Sequence, residues 1–154
     1  MTASAFTIYS KNKDRISQND LVGQVVKLAL VTSAYSTTLD ASSTGNSLWG
    51  DVSTNEIAGG NGYTTGGGTL TTLASTAIAS GFKFSSSAFV WTASGTGIPA
   101  HRYVVMYVLG TLWGRVNPVI GYYLGDATNA DIPLTTAGNT LTETPSVSGW
   151  FDQT

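Results

Sequence analysis

The sequence predicts an all-β protein, an antiparallel β-sandwich or jelly roll with long loops and little helix. Short apolar segments alternate at period two, as in strands with one buried face. Turns rich in Gly, Ser and Asn separate these segments, and no apolar spacing of about 3.6 residues persists. Ser and Thr supply about a quarter of the chain, and the β-branched Thr packs well on a pleated sheet.

The first third of the chain contains one clear strand and several weaker features. Residues 1–22 are charged and form either an exposed arm or a first short strand. Residues 24–32 predict a strand, because their apolar side chains alternate. Residues 33–58 are loop-like but too long to lack structure, so we expect a helical turn near 51–56 or a short strand pair. A single β-sandwich domain is assigned to residues 23–154.

The later segments carry the stronger strand patterns. Aromatic residues alternate in residues 82–84 and 88–94. Residues 101–114 are apolar on both faces, which predicts a strand buried on both sides or facing another subunit. Residues 119–125 follow as its possible hairpin partner. Weaker strand patterns lie at residues 68–76, 132–144 and 148–151.

The composition argues against several classes of protein. Four Trp, seven Tyr and five Phe argue against disorder. Charged residues make up only 10% of the chain, the net charge is −2, and no basic patch is visible, so nucleic-acid binding is not expected. The absence of Cys excludes disulfides and thiolate metal sites. We see neither a secretory signal nor an apolar run long enough for a membrane helix, so we expect no membrane association.

Possible catalytic and cofactor motifs are incomplete. The sequence contains no nucleophile-elbow motif that would pair a catalytic serine with His101, the single histidine. We therefore interpret His101 as a polar residue at the start of a strand. Residues 125–131 lack the full spacing of a calcium loop. Residues 95–100 match a dinucleotide fingerprint, but a strand pattern follows where a helix is needed. We therefore predict no enzymatic activity, no cofactor and no metal.

The run GGNGYTTGGGTL, residues 59–70, raises the question of a phosphate-binding loop. Such a loop needs a lysine to reach the phosphate and a following helix to supply a dipole, and neither is present. The alternative is a backbone corner that leads into a strand. This interpretation predicts a positive φ at one or more of the glycines and burial of Tyr63 against the sheet.

Three segments, residues 57–70, 89–110 and 138–151, resemble a family of small structural proteins from tailed-bacteriophage virions. In that family a Gly-Tyr-x-x-Gly-Gly turn precedes a strand, and a Trp-bearing strand and an AxRY-like strand follow. A Gly-x-Thr-Leu-Thr strand comes near the end and closes on a Gly-aromatic-Phe segment. The matching positions are Gly62, Tyr63, Gly66, Gly67, Trp91, Arg102, Tyr103, Thr140, Leu141, Gly149 and Phe151.

The resemblance implies a β-sandwich protein of the virion, made in the host cytoplasm, that decorates or cements the phage head. Its implied partners are the major capsid protein and further copies of itself in a homo-oligomer. The matching positions imply fold determinants, not a ligand site. Some relatives are assigned only as virion structural proteins, so a tail or adaptor role stays open. The chain departs from the family at Pro145, which cannot donate to a strand ladder and marks an edge or a break.

Tryptophans outside the strongest strand patterns are candidates for contact with a partner or ligand. Trp91 lies in an apolar strand and is expected in the core. Trp49, Trp113 and Trp150 are candidate interface or binding aromatics, because amphipathic rings serve both purposes. Their exposure in a shallow groove would favour a carbohydrate- or receptor-binding module. Two carboxylates facing each other in a cleft would instead favour a hydrolase.

Overall fold

The computed structural model describes residues 2–37 and 47–154, and these residues form mostly antiparallel strands. The predicted all-β class is confirmed, while packing as a sandwich or jelly roll stays a prediction. The described ranges contain two four-residue α-helices, α1 (Ser10–Lys13) and α2 (Trp49–Val52), and a 3-10 turn at Ser53–Asn55. No helix of these ranges is long and apolar enough to cross a membrane.

The described strands, in chain order, are β1 (Thr7–Ile8), β2 (Val26–Val31), β3 (Gly68–Thr69), β4 (Ala74–Ile78), β5 (Gly81–Ser85), β6 (Phe89–Thr92), β7 (Tyr103–Val108), β8 (Thr111–Leu112), β9 (Arg115–Val116), β10 (Val119–Leu124), β11 (Thr140–Glu143) and β12 (Phe151–Gln153). They form a five-stranded sheet of order β1-β10-β7-β2-β3 and a three-stranded sheet of order β12-β5-β4. Two strand pairs, β11-β6 and β8-β9, complete the set.

Strand β7 is central in the largest sheet and is buried on both sides, as its two apolar faces predict. Val104 and Met106 belong to one hydrophobic cluster. Val105 and Tyr107 belong to a second cluster on the opposite face. The predicted hairpin partner, β10, pairs with β7 in antiparallel register, with an irregularity near Ile120. The second apolar face is therefore covered by this chain's own residues.

Short helices and buried aromatic rings cover that second face. The predicted helical turn within residues 33–58 is confirmed by α2 and the adjoining 3-10 turn. Trp49 and Val52 of α2 are buried against Tyr107, together with Tyr35. Residues 38–46 of the predicted loop lie outside the described residues.

The N-terminal segment enters the sheet as a short strand. Thr7 of β1 lies opposite Tyr122 of β10. Asn12 is fully buried, its amide donates to the backbone carbonyl of Val119, and its oxygen accepts from Arg115 over 3.0 Å. These bonds attach the charged N-terminal segment to the domain.

Several weak strand patterns are shorter in the structure than in the sequence. The pattern over residues 68–76 divides into β3 and β4, separated by Thr72, which has a φ of 55°. Within residues 132–144, only Thr140–Glu143 forms a strand, because the earlier part makes isolated bridges to residues 98–101. The break expected at Pro145 falls between β11, which pairs with β6, and β12, which pairs with β5.

Candidate functional site

The glycine run forms the predicted corner. Gly60 and Tyr63 close a tight turn through reciprocal backbone hydrogen bonds of 2.7 and 3.0 Å. Positive φ angles occur at Gly60 (108°), Gly62 (95°), Gly66 (85°) and Gly67 (75°), so this part of the prediction is confirmed. A Cβ at Gly62 would collide with backbone atoms of the neighbouring strand β6, and one at Gly67 would collide with β2. Glycine is needed at both positions for conformation and for space.

Tyr63 fastens the corner to β2. Its side chain is 2% exposed, which confirms the predicted burial. The Tyr63 hydroxyl donates to Glu56 Oε1 over 2.7 Å and accepts from the Leu30 backbone N–H over 3.0 Å. The same carboxylate oxygen accepts from the Gly66 N–H over 2.6 Å. Glu56 therefore joins both ends of the corner through one oxygen.

A second tyrosine holds the far side of the corner. The Tyr107 hydroxyl donates to the Gly66 carbonyl over 2.7 Å, and the Trp49 ring stacks on the Tyr107 ring at 4.4 Å between centroids. Burial, aided by the nearby Glu56 carboxylate, raises the pKa of Tyr107 to about 12. Burial and the hydrogen bond to Glu56 raise the pKa of Tyr63 well above its ordinary value. Both hydroxyls therefore remain protonated donors at neutral pH, which suits a structural role.

The remaining motif residues of the family resemblance lie in separate places. Trp91 is buried beside Phe89, with 4.6 Å between ring centroids. Arg102 forms an ion pair with Asp131 over 2.7 Å at a partly exposed position. Tyr103 packs edge-on against neighbouring tyrosine rings. The structure thus brings the glycine corner and Trp91 together, since Tyr63 packs on Trp91, but leaves Arg102 elsewhere.

The candidate binding tryptophans are not arranged as one open platform. Trp49, the first residue of α2, is buried against Tyr107, and Trp150 is 8% exposed. The Trp150 indole N–H donates to Ser86 Oγ over 2.9 Å. Trp113 is half-buried at the tip of the β8–β9 hairpin, and its indole donates to Asp20 over 3.0 Å. Of the three, Trp150 lines a cleft.

That cleft has a volume of about 430 Å³ and lies between the first residues of the chain and residues 143–152. The Tyr123 hydroxyl donates to Glu143 Oε2 over 2.6 Å at its wall. Burial raises the pKa of Glu143, although the Tyr123 hydrogen bond opposes the shift. The Tyr123 ring packs against Trp150 at 6.1 Å. The cleft therefore offers a half-buried carboxyl group beside aromatic rings.

Sequence reasoning did not identify the pairing of Tyr123 with Glu143. The two residues lie on β10 and β11, which belong to different sheets. Only the packing of these sheets brings the side chains together. The sequence carries only a weak indication, since β11 (TLTE) alternates polar and apolar residues whereas β10 (VIGYYL) does not.

His101 is a buried residue at the entrance to β7. It is 1% exposed, and in the described part of the chain neither ring nitrogen forms a hydrogen bond of ordinary geometry. Burial lowers the pKa of His101 to about 4, a shift that the backbone of Pro99 and the charge of Asp131 offset only in part. Its backbone bridges Ile132 over 2.7 Å. At neutral pH His101 is therefore an uncharged core residue.

Over residues 2–37 and 47–154, no group of three or more His, Asp or Glu side chains is placed to hold a metal ion. Comparison with known proteins adds no assignment, because the chain matches no family model, no curated protein and no solved structure. The likeness to phage structural proteins therefore rests on the sequence motifs.

Proposed function

We propose that this chain is a non-enzymatic structural protein of a tailed-bacteriophage virion that decorates or cements the head. It would bind the major capsid protein and further copies of itself. The observation that carries this proposal is an exposed apolar surface where β2 begins and β7 ends. Val25 and Leu109 face each other there, 44% and 47% exposed, joined by a 2.8 Å backbone hydrogen bond.

Adjoining turns add to this surface, which we call the apolar end. Val22, 41% exposed, precedes β2 by one turn. Val116, 64% exposed, lies on β9. The residue after it, Asn117, donates its backbone N–H to the Gly110 carbonyl over 2.7 Å, which brings β9 next to the end of β7. Exposed apolar groups of this kind mark interaction surfaces in many proteins. Burying them against a shell is favourable at about 25 cal/mol per Å² of apolar area.

The low charge of the chain supports the same proposal. Only 10% of the residues are charged. A charged side chain must lose its hydration when a partner covers it, whereas hydroxyl and apolar groups lose less. A surface of this composition is suited to extended contact with a protein shell.

The structural role of the motif residues is also consistent with the resemblance. Gly62 and Gly67 lie against backbone, and Tyr63 is buried in the corner. This placement supports the proposal that these positions are fold determinants, which the resemblance implies. They would keep the fold constant, while exposed surface residues differ between proteins that bind different shells.

Shell binding tests the proposal directly. Purified protein is mixed with precursor and expanded shells of the major capsid protein, and the bound fraction is measured by co-sedimentation. We expect saturable binding to expanded shells, and binding at least about tenfold weaker for the double variant Val25→Lys with Leu109→Lys, because two charges must then be desolvated. Val147→Lys is the matched control, since Val147 is 96% exposed and lies on a different segment. Absence of binding to expanded shells, or equal binding by the double variant, overturns the proposal.

A second candidate function, carbohydrate or receptor binding on a tail or adaptor, is favoured by the cleft beside Glu143. Its carboxyl group and the adjoining Trp150 ring are the kinds of group that bind sugar hydroxyls and sugar faces. The test is a glycan array followed by titration of any hit. Binding that Glu143→Gln abolishes supports this candidate, and an array without hits rejects it.

A further inference from the structure

Strand β4 is an edge strand with one open side. It pairs with β5 over five consecutive residues, from Ala74 opposite Ser85 to Ile78 opposite Gly81. Among the residues that the structure describes, no backbone group of β4 makes a hydrogen bond outside this pair. Four of its five residues are exposed. The outward-facing N–H and C=O groups are therefore available to another strand.

The sequence of β4 lacks the features that normally prevent edge pairing. Proteins protect such edges with charged side chains, proline, bulges or very short strands. Strand β4 reads ASTAI, with no charge and no proline, and its register with β5 has no irregularity. The edges of the largest sheet, β1 and β3, are only two residues long. The remaining edge, β12, has three residues and carries the charged Asp152. Of the edges of these two sheets, β4 is therefore the one best suited to accept another strand.

We propose that two copies of this chain pair through β4, antiparallel about a two-fold axis at Thr76. The joined sheet would have the order β12-β5-β4-β4-β5-β12. This pairing adds to the proposed function by naming one contact between copies. It rests on that function only in placing the paired copies on a virion shell.

The residues of β4 are complementary to themselves in this arrangement. Thr76 lies opposite Thr76 of the second copy, and cross-strand Thr pairs stabilise sheets. Ala74 lies opposite Ile78, which pairs a small side chain with a large one at both ends. Ser75 lies opposite Ala77, both small. An interface that maps onto itself in this way is what a two-fold dimer requires.

The charges near β4 are compatible with pairing. Lys83 is the cross-strand neighbour of Thr76, so it lies one strand away from the open edge. The two Lys83 residues of a dimer would be separated by three strand spacings, about 14 Å. This exceeds the screening length of about 8 Å at physiological ionic strength. No like charges therefore meet at the joined edge.

The alternation of side chains fixes the register. Ser75 and Ala77 lie opposite Phe84 and Phe82, whose rings point into the core. Pairing about Thr76 keeps the core-facing side chains of both copies on one face of the joined sheet and uses all five residues. A shift by one residue would place core-facing side chains of one copy on the solvent face of the other.

The expected interface is small. Five residues of edge bury less than the roughly 1,200 Å² of a standard stable complex, so the free protein should form a weak dimer. Copies held side by side on a shell have a high effective concentration, which favours the same contact. The test must therefore detect a weakly populated dimer.

A single engineered cysteine provides that test, because the chain has no Cys. Antiparallel partners have Cα atoms about 4.5 or 5.5 Å apart. Both distances lie within the range of about 4.4–6.8 Å that a disulfide spans. Under mild oxidation, Thr76→Cys should form a disulfide dimer. Ala74→Cys is the matched control on the same face, because its two copies would lie about 14 Å apart along the strands.

We expect dimer formation about tenfold or more faster for Thr76→Cys than for Ala74→Cys, at equal concentration and with native thermal unfolding of both reduced proteins. Equal rates, or faster dimer formation by Ala74→Cys, overturn the proposed axis. Shell binding is measured separately on the reduced proteins. A Thr76→Cys dimer from a chain that binds no shell supports edge pairing and rejects the virion function. Shell binding without preferential Thr76→Cys cross-linking rejects edge pairing alone.

Discussion

The Tyr63 hydroxyl bridges Glu56 and the backbone of Leu30, donating over 2.7 Å to the first and accepting over 3.0 Å from the second. This bridge converts a run of six glycines and three threonines around Tyr63 into a fixed corner. It also explains why a loop that resembles a phosphate cradle is occupied by the protein's own side chains.

Removal of the Tyr63 hydroxyl should destabilise the fold without removing the ring. Tyr63→Phe leaves the Leu30 N–H and one Glu56 bond unsatisfied, which costs about 1–3 kcal/mol of unfolding free energy. Tyr63→Ala adds a cavity and should cost about 3–5 kcal/mol. Urea denaturation measures both values. A loss below about 1 kcal/mol for Tyr63→Ala would contradict the proposed role of the corner.

Two glycine substitutions separate backbone strain from collision. Gly67 and Gly138 have similar φ angles, 75° and 83°. A Cβ at Gly138 meets no atom within 4 Å, whereas one at Gly67 meets the backbone at Leu28. Gly138→Ala should cost about 1–2 kcal/mol from strain alone. Gly67→Ala should cost clearly more, because β2 must shift. Equal losses in urea denaturation would show that close approach does not matter there.

The buried His101 should make stability depend on pH. Its folded pKa of about 4 lies below the unfolded value of about 6.5, so the unfolded chain binds the proton more tightly. The neutral His101 therefore contributes stability that is present in full above pH about 6.5. This contribution, about 3 kcal/mol in total, is lost as the pH falls toward 4. The unfolding free energy of wild type and His101→Leu is measured between pH 4 and pH 7.5. Parallel pH profiles would contradict the assignment.

Stability should depend on whether a substitution of Glu143 removes only its charge or also the oxygen that accepts from Tyr123. Burial raises the pKa of Glu143, so its charged form is disfavoured in the fold. Glu143→Gln keeps an acceptor for the Tyr123 hydroxyl and removes the charge, so stability at pH 7 should be unchanged or higher. Glu143→Ala leaves that hydroxyl without its acceptor and should cost about 1–3 kcal/mol. Thermal unfolding of the two variants compares them, and a greater loss for Glu143→Gln would contradict this account.

Local pattern was sufficient to predict much of the fold. Strands β2, β5 and β6 follow from apolar alternation, because period two is a property of neighbouring residues. Strand β7 follows from its two apolar faces, and β10 from its position as a hairpin partner of β7. The corner followed from glycines around a single tyrosine. Pairing between strands far apart in the sequence could not be predicted in this way, because β12 joins β5, which lies much earlier in the chain, and local pattern does not specify that partner.

The β8–β9 hairpin shows why some local features were missed. Its two-residue turn has positive φ at Trp113 (53°) and Gly114 (71°). Asn or Gly normally fills the first of these positions, and tryptophan is a poor predictor of such a turn. The strain is tolerated because the Trp113 indole bonds Asp20, 93 residues earlier in the chain. Sequence pattern does not contain that contact.

The position of this chain in an assembled particle tests the central claim most directly. Virions produced with a tagged copy are imaged by electron microscopy, and the head is reconstructed with icosahedral symmetry. We expect density for the domain at equivalent positions over the whole head, on the order of hundreds of copies. An axial assembly of a few copies in the tail, or particles that contain none of the chain, would contradict the claim.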